Sequence, residues 1–272
     1  MKYLVCFSGG HSSALVAIEA VRKVGKENVI LLNHDISSEV EHKDIKRFKQ
    51  EVADYLGISI SYANMADFEN NTPIRLCMNT GAWVNPKNRQ ALCTYNLKTK
   101  PFYEWLDQNY PATFENPCND ITILYGFDSD EQTRITRRVG ILGQKGYNTD
   151  FPIAYWERTI FNTEEIGIQK PSTYRIFKHA NCMGCLKAGM QHWYVIYCLR
   201  PDIYIEAVDA EETMGYSIIK DHWLKDLKEK FEETKAKGIC PNDKGNSAAF
   251  WARVNLLMPE QESFLPCDCA VL

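Results

Sequence analysis

A short run of glycine and hydroxyl-bearing residues near the start of the chain has the composition of a phosphate-binding loop. It reads Ser8-Gly9-Gly10-His11-Ser12-Ser13. Because the glycines have no side chains, backbone N–H groups can approach phosphate oxygens, and the serine hydroxyls are additional donors. A strand pattern precedes the run and a helix pattern follows it, so the helix dipole points its positive end at the same place. A tight turn with a capping serine is the structural alternative, but this order of elements favours nucleotide binding.

A second group that could do chemistry is the pair Cys182 and Cys185, which has Cys-x-x-Cys spacing with a glycine between the thiols. This spacing lets two thiolates face one metal ion or one iron–sulfur cluster. A thioredoxin-like redox pair has the same spacing, and two cysteines also fall in one turn by chance. A metal needs more ligands than two, so other cysteines among the ten in the chain would have to join them.

These groups need elements that hold them, and the hydrophobic pattern predicts strands that alternate with helices. Residues 3–7, 28–33, 58–62 and 121–125 have the branched and aromatic composition of strands. A helical stripe of apolar residues follows the first strand, and another covers residues 39–56. Such alternation predicts a parallel sheet with right-handed crossovers. The predicted fold class is therefore α/β, with a doubly wound, Rossmann-like parallel sheet.

The rest of the chain has a less regular pattern. Residues 69–92 are rich in Asn, Pro and Gly and are predicted to form a long loop or lid. Residues 98–109 and 224–237 are predicted to be helices. We predict a nucleotide-binding α/β core over residues 1–150. A smaller C-terminal part over residues 151–272 would carry the Cys-x-x-Cys pair and end in a tail.

Taken together, the motifs resemble those of the PP-loop ATP pyrophosphatases and of the phosphoadenosine phosphosulfate (PAPS) reductase-like proteins, which are of the adenine nucleotide α-hydrolase type. The resemblance spans residues 3–190, and the combination is more specific than any one motif. The matching segments, in chain order, are residues 8–13, then Cys93-Thr94 with Leu97-Lys98 and Pro101, then Gly126-Phe127 with Glu131 and Arg134, and then Pro152, Trp156 and Tyr174 before Cys182 and Cys185.

The resemblance implies ATP as the ligand, bound above the carboxyl ends of the strands together with Mg²⁺. Asp35, which ends the second predicted strand, would assist the magnesium ion. Arg134 would bind phosphate or sulfate through its guanidinium group. The residues that would line the nucleotide site are Ser8, Gly9, Gly10, His11, Ser12, Ser13, Lys98 and Glu131.

By the same resemblance, Cys93, Cys182 and Cys185 would hold a [4Fe–4S] cluster, or Zn²⁺ in a structural role. Cys77 and Cys198 are candidates for a fourth ligand, although the apolar run around Cys198 favours simple burial. A cluster with three cysteines would leave one iron open, which suits sulfur delivery. The sequence leaves an iron–sulfur cluster, zinc and no metal as open alternatives.

The leading function implied is ATP-dependent adenylation coupled to sulfur transfer, with a sulfur-donor protein as a partner and a nucleic acid or a small molecule as the acceptor. The alternative is reduction of PAPS or a related sulfonucleotide by a tail cysteine, Cys267 or Cys269. Ser12 stands where the ATP pyrophosphatases have an aspartate that helps to hold magnesium. A catalytically inactive nucleotide-binding module is therefore a third hypothesis.

Composition limits the class of protein further. The formal net charge is −4, so no global positive field indicates nucleic-acid binding. The first residues lack the pattern of a signal peptide, and no apolar stretch approaches the ~18 residues of a membrane helix. We therefore expect a cytoplasmic protein without a membrane partner, whose cysteines stay reduced.

Overall fold

The computed structural model of the chain describes residues 1–180 and 182–257. Its strands form one sheet of five: β1 (Lys2–Cys6), β2 (Val29–Asn33), β3 (Ile60–Tyr62), β4 (Cys118–Leu124) and β5 (Tyr147–Asp150). The strands pair in the order β3-β2-β1-β4-β5, and the four pairings are all parallel. The predicted α/β fold with a parallel sheet is confirmed.

Both faces of this sheet are buried, which explains why its central strands are apolar at consecutive positions. Neighbouring residues of a strand point to opposite faces. Accordingly, Leu4 lies in one buried cluster and Val5 in another, and Leu32 and Leu31 divide in the same way. The sheet is therefore flanked by helices on both sides, consistent with a doubly wound, Rossmann-like fold.

The helices of the described residues are, in chain order, α1 (His11–Val24), α2 (Lys43–Leu56), α3 (Pro73–Thr80), α4 (Leu92–Thr94), α5 (Lys100–Asn109), α6 (Gln132–Gly143), α7 (Pro152–Tyr155), α8 (Met190–Leu199), α9 (Pro201–Met214), α10 (Leu224–Ala236) and α11 (Ser247–Leu257). Short 3₁₀ turns occupy Lys26–Asn28, Thr163–Ile166 and Ser172–Arg175. Helices α1 and α2 pack on one face of the sheet, and α5 and α6 pack on the other.

Helix α2 begins at Lys43, so the predicted start at residue 39 is wrong. The backbone N–H groups of Val40 and Glu41 both donate to the carbonyl oxygen of Ser37, which closes a turn before the helix. His42 then caps the helix, since its Nδ1 accepts the N–H of Asp44 at 3.1 Å. The turn directs the Glu41 side chain into the protein interior, where it is buried.

The prediction that residues 69–92 form a loop is wrong, because this segment contains α3. Thr72 caps α3 by accepting the N–H of Arg75, and Pro73 occupies its first turn. Gly81 ends the helix in the left-handed conformation. Ile74, which is buried on the inner face of α3, helps to hold the helix in place.

The helix predicted over residues 98–109 begins earlier, at Leu92, and contains a π-helical turn at Tyr95–Thr99. Pro101 follows this turn and has no N–H to donate to the carbonyl group four residues before it. The widened turn accommodates that missing hydrogen bond. Such π-turns are frequent at functional sites, and this one carries Lys98.

A large buried cluster joins residues from both sides of residue 150. It includes Trp83 and Leu97 together with Trp193, Tyr194 and Phe231. The C-terminal helices therefore share a core with the segment that contains α3 and α4, while the domain division at residue 150 stays a prediction. Within residues 1–180 and 182–257, no helix combines the length and apolarity that spanning a membrane requires.

Candidate functional site

The loop of residues 8–13, called the phosphate loop below, lies at the switch point of the sheet. It connects β1 to α1, and β1 has β2 on one side and β4 on the other. Ligands of open α/β sheets bind in the crevice at such a point. Gly126, just after β4, borders the loop closely: a Cβ there would lie 3.0 Å from the carbonyl carbon of Ser12.

Gly9 is required in the phosphate loop for two reasons. Its φ is +78°, a conformation that residues with a side chain rarely adopt. In addition, a Cβ at this position would lie 2.8 Å from Lys49 Cγ and 2.9 Å from Ile45 Cγ2. The loop is therefore packed directly on the inner face of α2.

Several backbone donors of the phosphate loop have no acceptor within the described part of the chain. The N–H of His11 donates to the hydroxyl of Tyr174 at 3.0 Å, and that of Ala14 donates to Gly10 O. The N–H groups without an acceptor there are those of Gly9, Gly10, Ser12 and Ser13. Four free donors beside the start of a 14-residue helix make a suitable anion site.

Two of the three serine hydroxyls in the loop donate to groups within the loop, and the third does not. Ser13 Oγ donates to Gly10 O at 2.8 Å, and Ser8 Oγ donates to Ser13 Oγ at 3.3 Å. These two hydroxyls shape the loop from within. Ser12 is exposed at the start of α1, so its hydroxyl is the one best placed to contact a ligand.

The imidazole of His11 also holds the loop. Burial is the main cause that lowers its pKa, and the positive charge of Lys170 lowers it further. The ring is therefore neutral at pH 7, and its Nε2 accepts the N–H of Thr163 at 3.3 Å. His11 thus connects the start of α1 to the segment that follows α7.

A group of buried charges lies directly beneath the phosphate loop. The ammonium of Lys49 is 3.0 Å from Glu41 Oε2, 3.3 Å from Asp35 Oδ1 and 3.2 Å from Asn33 Oδ1. Lys46 adds a second cation at 3.3 Å from the same oxygen of Asp35. Burial is the main cause that raises the pKa of Glu41, and the charge of Lys49 opposes the rise.

Asp35 lies at the end of β2, where the sequence places it, and its surroundings limit what it can bind. Both lysines contact Oδ1, and so does the N–H of Ile36. No donor of the described residues contacts Oδ2, and the side chain is one-fifth exposed. Oδ2 is therefore the oxygen that could reach a cation or a water molecule.

Lys49 and Glu41 are absent from the site predicted from the sequence. A signal for Lys49 was present, since it follows Phe48 and lies one helical turn after Ile45 on the apolar stripe of α2. A lysine at such a position is buried, and a buried ammonium needs a carboxylate. No comparable signal identifies Glu41, because only the turn at Ser37 directs it inward.

Four cysteines lie in the part of the fold next to this charged group. The side chain of Cys77, on α3, is hydrogen-bonded to that of Cys93, on α4. Cys182 and Cys185 lie on the loop before α8, where the N–H of Met183 donates to Val40 O at 2.8 Å. Cys77, Cys93 and Cys182 belong to one buried cluster together with Val40.

The pKa values of the Cys93 and Cys182 thiols are shifted in opposite directions. The hydrogen bond with Cys77 is the main cause that lowers the pKa of Cys93, and the positive charges of Lys187 and Lys98 contribute. Burial raises the pKa of Cys182 to about 11. Cys93 is thus the readiest thiolate, and the positive charge of Lys98 lowers the pKa of both thiols.

The Cys182–Cys185 turn is held in shape by its glycine and by a histidine. Gly184 has a φ of +74°, and a Cβ there would lie 2.6 Å from Ile203 Cγ2. The N–H of Cys185 donates to His192 Nε2 at 3.3 Å, and His192 Nδ1 lies 2.8 Å from Asp243 Oδ2. Because Nε2 accepts a hydrogen bond, Nδ1 carries the proton and donates to the carboxylate.

The described part of the chain holds no ready-made site for one metal ion. Within residues 1–180 and 182–257, no three His, Cys, Asp or Glu side chains converge on a point that could hold one metal ion. A single zinc ion needs its ligands around one atom, whereas an iron–sulfur cluster distributes its thiolates over several irons. Cys198 lies on α8 beside Tyr194, whereas Cys77 interacts directly with Cys93.

Other predicted site residues lie at the carboxyl ends of β4 and β5. Glu131 and Arg134 form an ion pair with each other at the start of α6, and the guanidinium carbon of Arg134 lies 4.1 Å from the ring centre of Phe127. Phe127 itself stacks on Tyr125 and Phe151. Cys267 and Cys269, the tail cysteines of the reductase hypothesis, lie outside the described residues.

No family model matches the chain, and no curated protein or solved structure is significantly similar to it. The relationship to the PP-loop and PAPS reductase-like proteins therefore stays a prediction from the motifs. The fold and the geometry of the site carry the inference of function.

Proposed function

We propose that the chain binds an adenine nucleotide at the phosphate loop and uses it in ATP-dependent adenylation coupled to sulfur transfer. The observation that carries this proposal is the set of four free backbone N–H groups at the switch point of a parallel sheet. Beside them lie a buried group of lysines and carboxylates and a group of four cysteines. Phosphate recognition and sulfur chemistry would thus occupy neighbouring parts of one fold.

The phosphate loop favours a pyrophosphate group over a single small anion. Donors from Gly9 and Gly10 precede the helix, and those of Ser12 and Ser13 lie in its first turn, so oxygens on two phosphates can be bound together. The methylene groups of Lys49 lie beneath Gly9, and its ammonium is paired with Glu41 and Asp35, so Lys49 supports the shape of the loop from the interior. The leaving pyrophosphate of ATP would occupy this place.

The proposed reaction begins when a substrate oxygen attacks the α phosphorus of ATP. The bond from that phosphorus to the bridging oxygen of the β phosphate breaks, and pyrophosphate leaves into the phosphate loop. A sulfur nucleophile then displaces AMP from the adenylated carbon. The chain's part is to orient the phosphates and to stabilise charge on the leaving group, which are the main sources of rate enhancement in such transfers. Asp35 Oδ2 would help to hold Mg²⁺, which would neutralise phosphate charge.

The four cysteines are proposed to hold a [4Fe–4S] cluster, with Cys93, Cys182 and Cys185 as predicted and Cys77 as the fourth ligand. When bound, the cluster would supply electrons or carry sulfur. Lys98 and Lys187 would offset the negative charge of the thiolates. Because Cys77 is fully buried against Cys93, it is the better choice over Cys198.

The first test is to measure binding and turnover of ATP by protein that is purified without oxygen. We expect ATP binding in the micromolar range by calorimetry, and AMP and pyrophosphate as products when substrate is present. Iron and acid-labile sulfide should be near four per chain. Cys77→Ser should lose most of the iron, while the matched control Cys198→Ser should keep it. Absence of both ATP and PAPS binding would refute the proposal.

Reduction of PAPS or a related sulfonucleotide is the second candidate, and the surroundings of Asp35 favour it. Two lysines neutralise this carboxylate, and Ser12 replaces the aspartate of the magnesium-dependent relatives, so the site has little charge left for a metal ion. This function predicts tighter binding of PAPS than of ATP and loss of activity when residues 267–272 are deleted. Tight binding without turnover of either nucleotide would instead favour an inactive binding module.

A further inference from the structure

The chain segment that leads to the cysteine loop crosses directly over the phosphate loop. Tyr174 lies in the 3₁₀ turn Ser172–Arg175, and its hydroxyl is 3.4 Å from where a Cβ of Gly10 would be. The methyl group of Ala180 lies 3.9 Å from the same point. Cys182 follows two residues later in the sequence. Residues 172–180 therefore cover the phosphate loop, and the Cys-x-x-Cys turn begins two residues later.

One contact on each side of this region fixes it near α2, one to the first turn of α2 and one to the turn that precedes α2. The N–H of Ser172 donates to Asp44 Oδ2 at 2.5 Å, and Met183 donates to Val40 O. Between these two contacts, the hydrogen bond of Tyr174 with His11 ties the stretch to the phosphate loop. A change at the phosphate loop can therefore reach the cysteines through few intervening residues.

In its hydrogen bond with His11, the Tyr174 hydroxyl is the acceptor, so its own proton is still available for donation. The hydroxyl oxygen accepts the N–H of His11 at 3.0 Å, and its own O–H has no acceptor in the described part of the chain. Burial raises the pKa of Tyr174, so the hydroxyl is protonated at pH 7. Its oxygen is thus held in place over Gly10 with one donor still available.

Resting on the proposed function, we infer that Tyr174 is a positioning residue that donates its O–H to a phosphate oxygen bound in the phosphate loop. It thereby links nucleotide binding to the Cys182–Cys185 turn. The His11 N–H orients the hydroxyl, while the free N–H groups of Gly9, Gly10, Ser12 and Ser13 remain for the phosphates. A nucleotide would therefore bind without displacing Tyr174, and it would hold residues 171–180 more firmly against the loop.

The test compares wild type with Tyr174→Phe, which keeps the ring and removes only the hydroxyl. Tyr55→Phe is the matched control, since Tyr55 is about half exposed on the outer side of α2. Calorimetry with ATP, PAPS and inorganic pyrophosphate should show affinity at least about tenfold weaker in Tyr174→Phe, the loss expected for one hydrogen bond to a charged group. Tyr55→Phe should bind like wild type, and thermal unfolding should show that both variants fold.

Hydrogen–deuterium exchange of residues 171–185 gives a readout that a purely structural role would not change. In wild type and in Tyr55→Phe, saturating nucleotide should slow exchange in this segment, whereas in Tyr174→Phe at saturation it should not. Equal or tighter binding by Tyr174→Phe, or equal protection in all three proteins, would overturn the role inferred for Tyr174 and leave the proposed function standing. Failure of wild type to bind any of the three probes would overturn the proposed function together with it.

Discussion

Replacing Lys49 with methionine should destabilise the protein strongly, because it removes a buried cation from between two carboxylates. The Lys49 side chain is 3% exposed and that of Glu41 is 5% exposed, with 3.0 Å between the ammonium and Oε2. Breaking a buried ion pair from one side costs about 3–5 kcal/mol. Lys46 remains 3.8 Å from Glu41, so we expect a loss near the lower limit, about 3 kcal/mol.

Lys46→Met is the matched control, because it removes the same charge from the same helix. The Lys46 side chain is one-third exposed, and its contacts are partly screened by water. Ion pairs of that kind contribute about 1 kcal/mol or less. Urea unfolding at pH 7, followed by tryptophan fluorescence, should therefore separate the two variants by about 2 kcal/mol.

The pH dependence provides a second check on the same reasoning. The pKa of Glu41 is already raised by burial in the presence of Lys49, and it should rise further without it. A carboxyl whose folded pKa exceeds its unfolded value destabilises the protein when ionised, and this penalty disappears as the pH falls toward the unfolded value of about 4.3. The deficit of Lys49→Met should thus shrink between pH 7 and pH 5.

Adding Glu41→Gln to Lys49→Met should restore much of the stability at pH 7, since the carboxylate without its lysine is then neutral. Non-additive effects of this kind are expected for residues in one network. A loss below about 1 kcal/mol for Lys49→Met, in the range of an exposed pair, would refute the buried-pair reasoning. So would an unchanged deficit at pH 5, or a double variant as unstable as the sum of the single ones.

Three further outcomes are expected. Gly9→Ala should abolish nucleotide binding, measured by calorimetry, because the new Cβ would collide with α2. The control is Gly81→Ala, where φ is +69° and a Cβ would have no atom within 4 Å. This control should lose only about 1 kcal/mol of stability and bind the nucleotide normally. Gly184→Ala should lower bound iron, measured by metal analysis, whereas Gly167→Ala, also left-handed but in open space, should not. Since the pKa of His11 is lowered in the folded state, stability should fall as the pH drops below about 6.5, and His11→Gln should show a smaller fall in thermal unfolding.

Much of the fold could be predicted from the sequence because it depends on local pattern. The strands β1, β2 and β4 are runs of branched residues, and the period of apolar residues in α1 and α2 identifies helices. Alternation of these elements is enough to predict a parallel sheet. Helix α3 was missed because its short apolar face, around Ile74, lies within a segment rich in Asn and Gly.

The candidate site could be predicted only where chemistry is local in sequence. The phosphate loop and the Cys-x-x-Cys pair each lie within a few residues, so spacing alone identifies them. The sequence named both Cys77 and Cys198 as candidates for a fourth ligand, with simple burial favoured for Cys198. Packing of α3 on α4 brings Cys77 to Cys93, whereas Cys198 lies beside Tyr194.

The sequence by itself determined the α/β class and the position of the phosphate loop, since both depend on neighbours along the chain. Only the tertiary structure decided which charges neutralise one another and which hydroxyl covers the loop. Tyr174 and His11 are separated by 163 positions, yet share a hydrogen bond. Contacts over such separations depend on how the crossovers return the chain to one edge of the sheet. A local pattern of residue types does not predict which distant residues come into contact there.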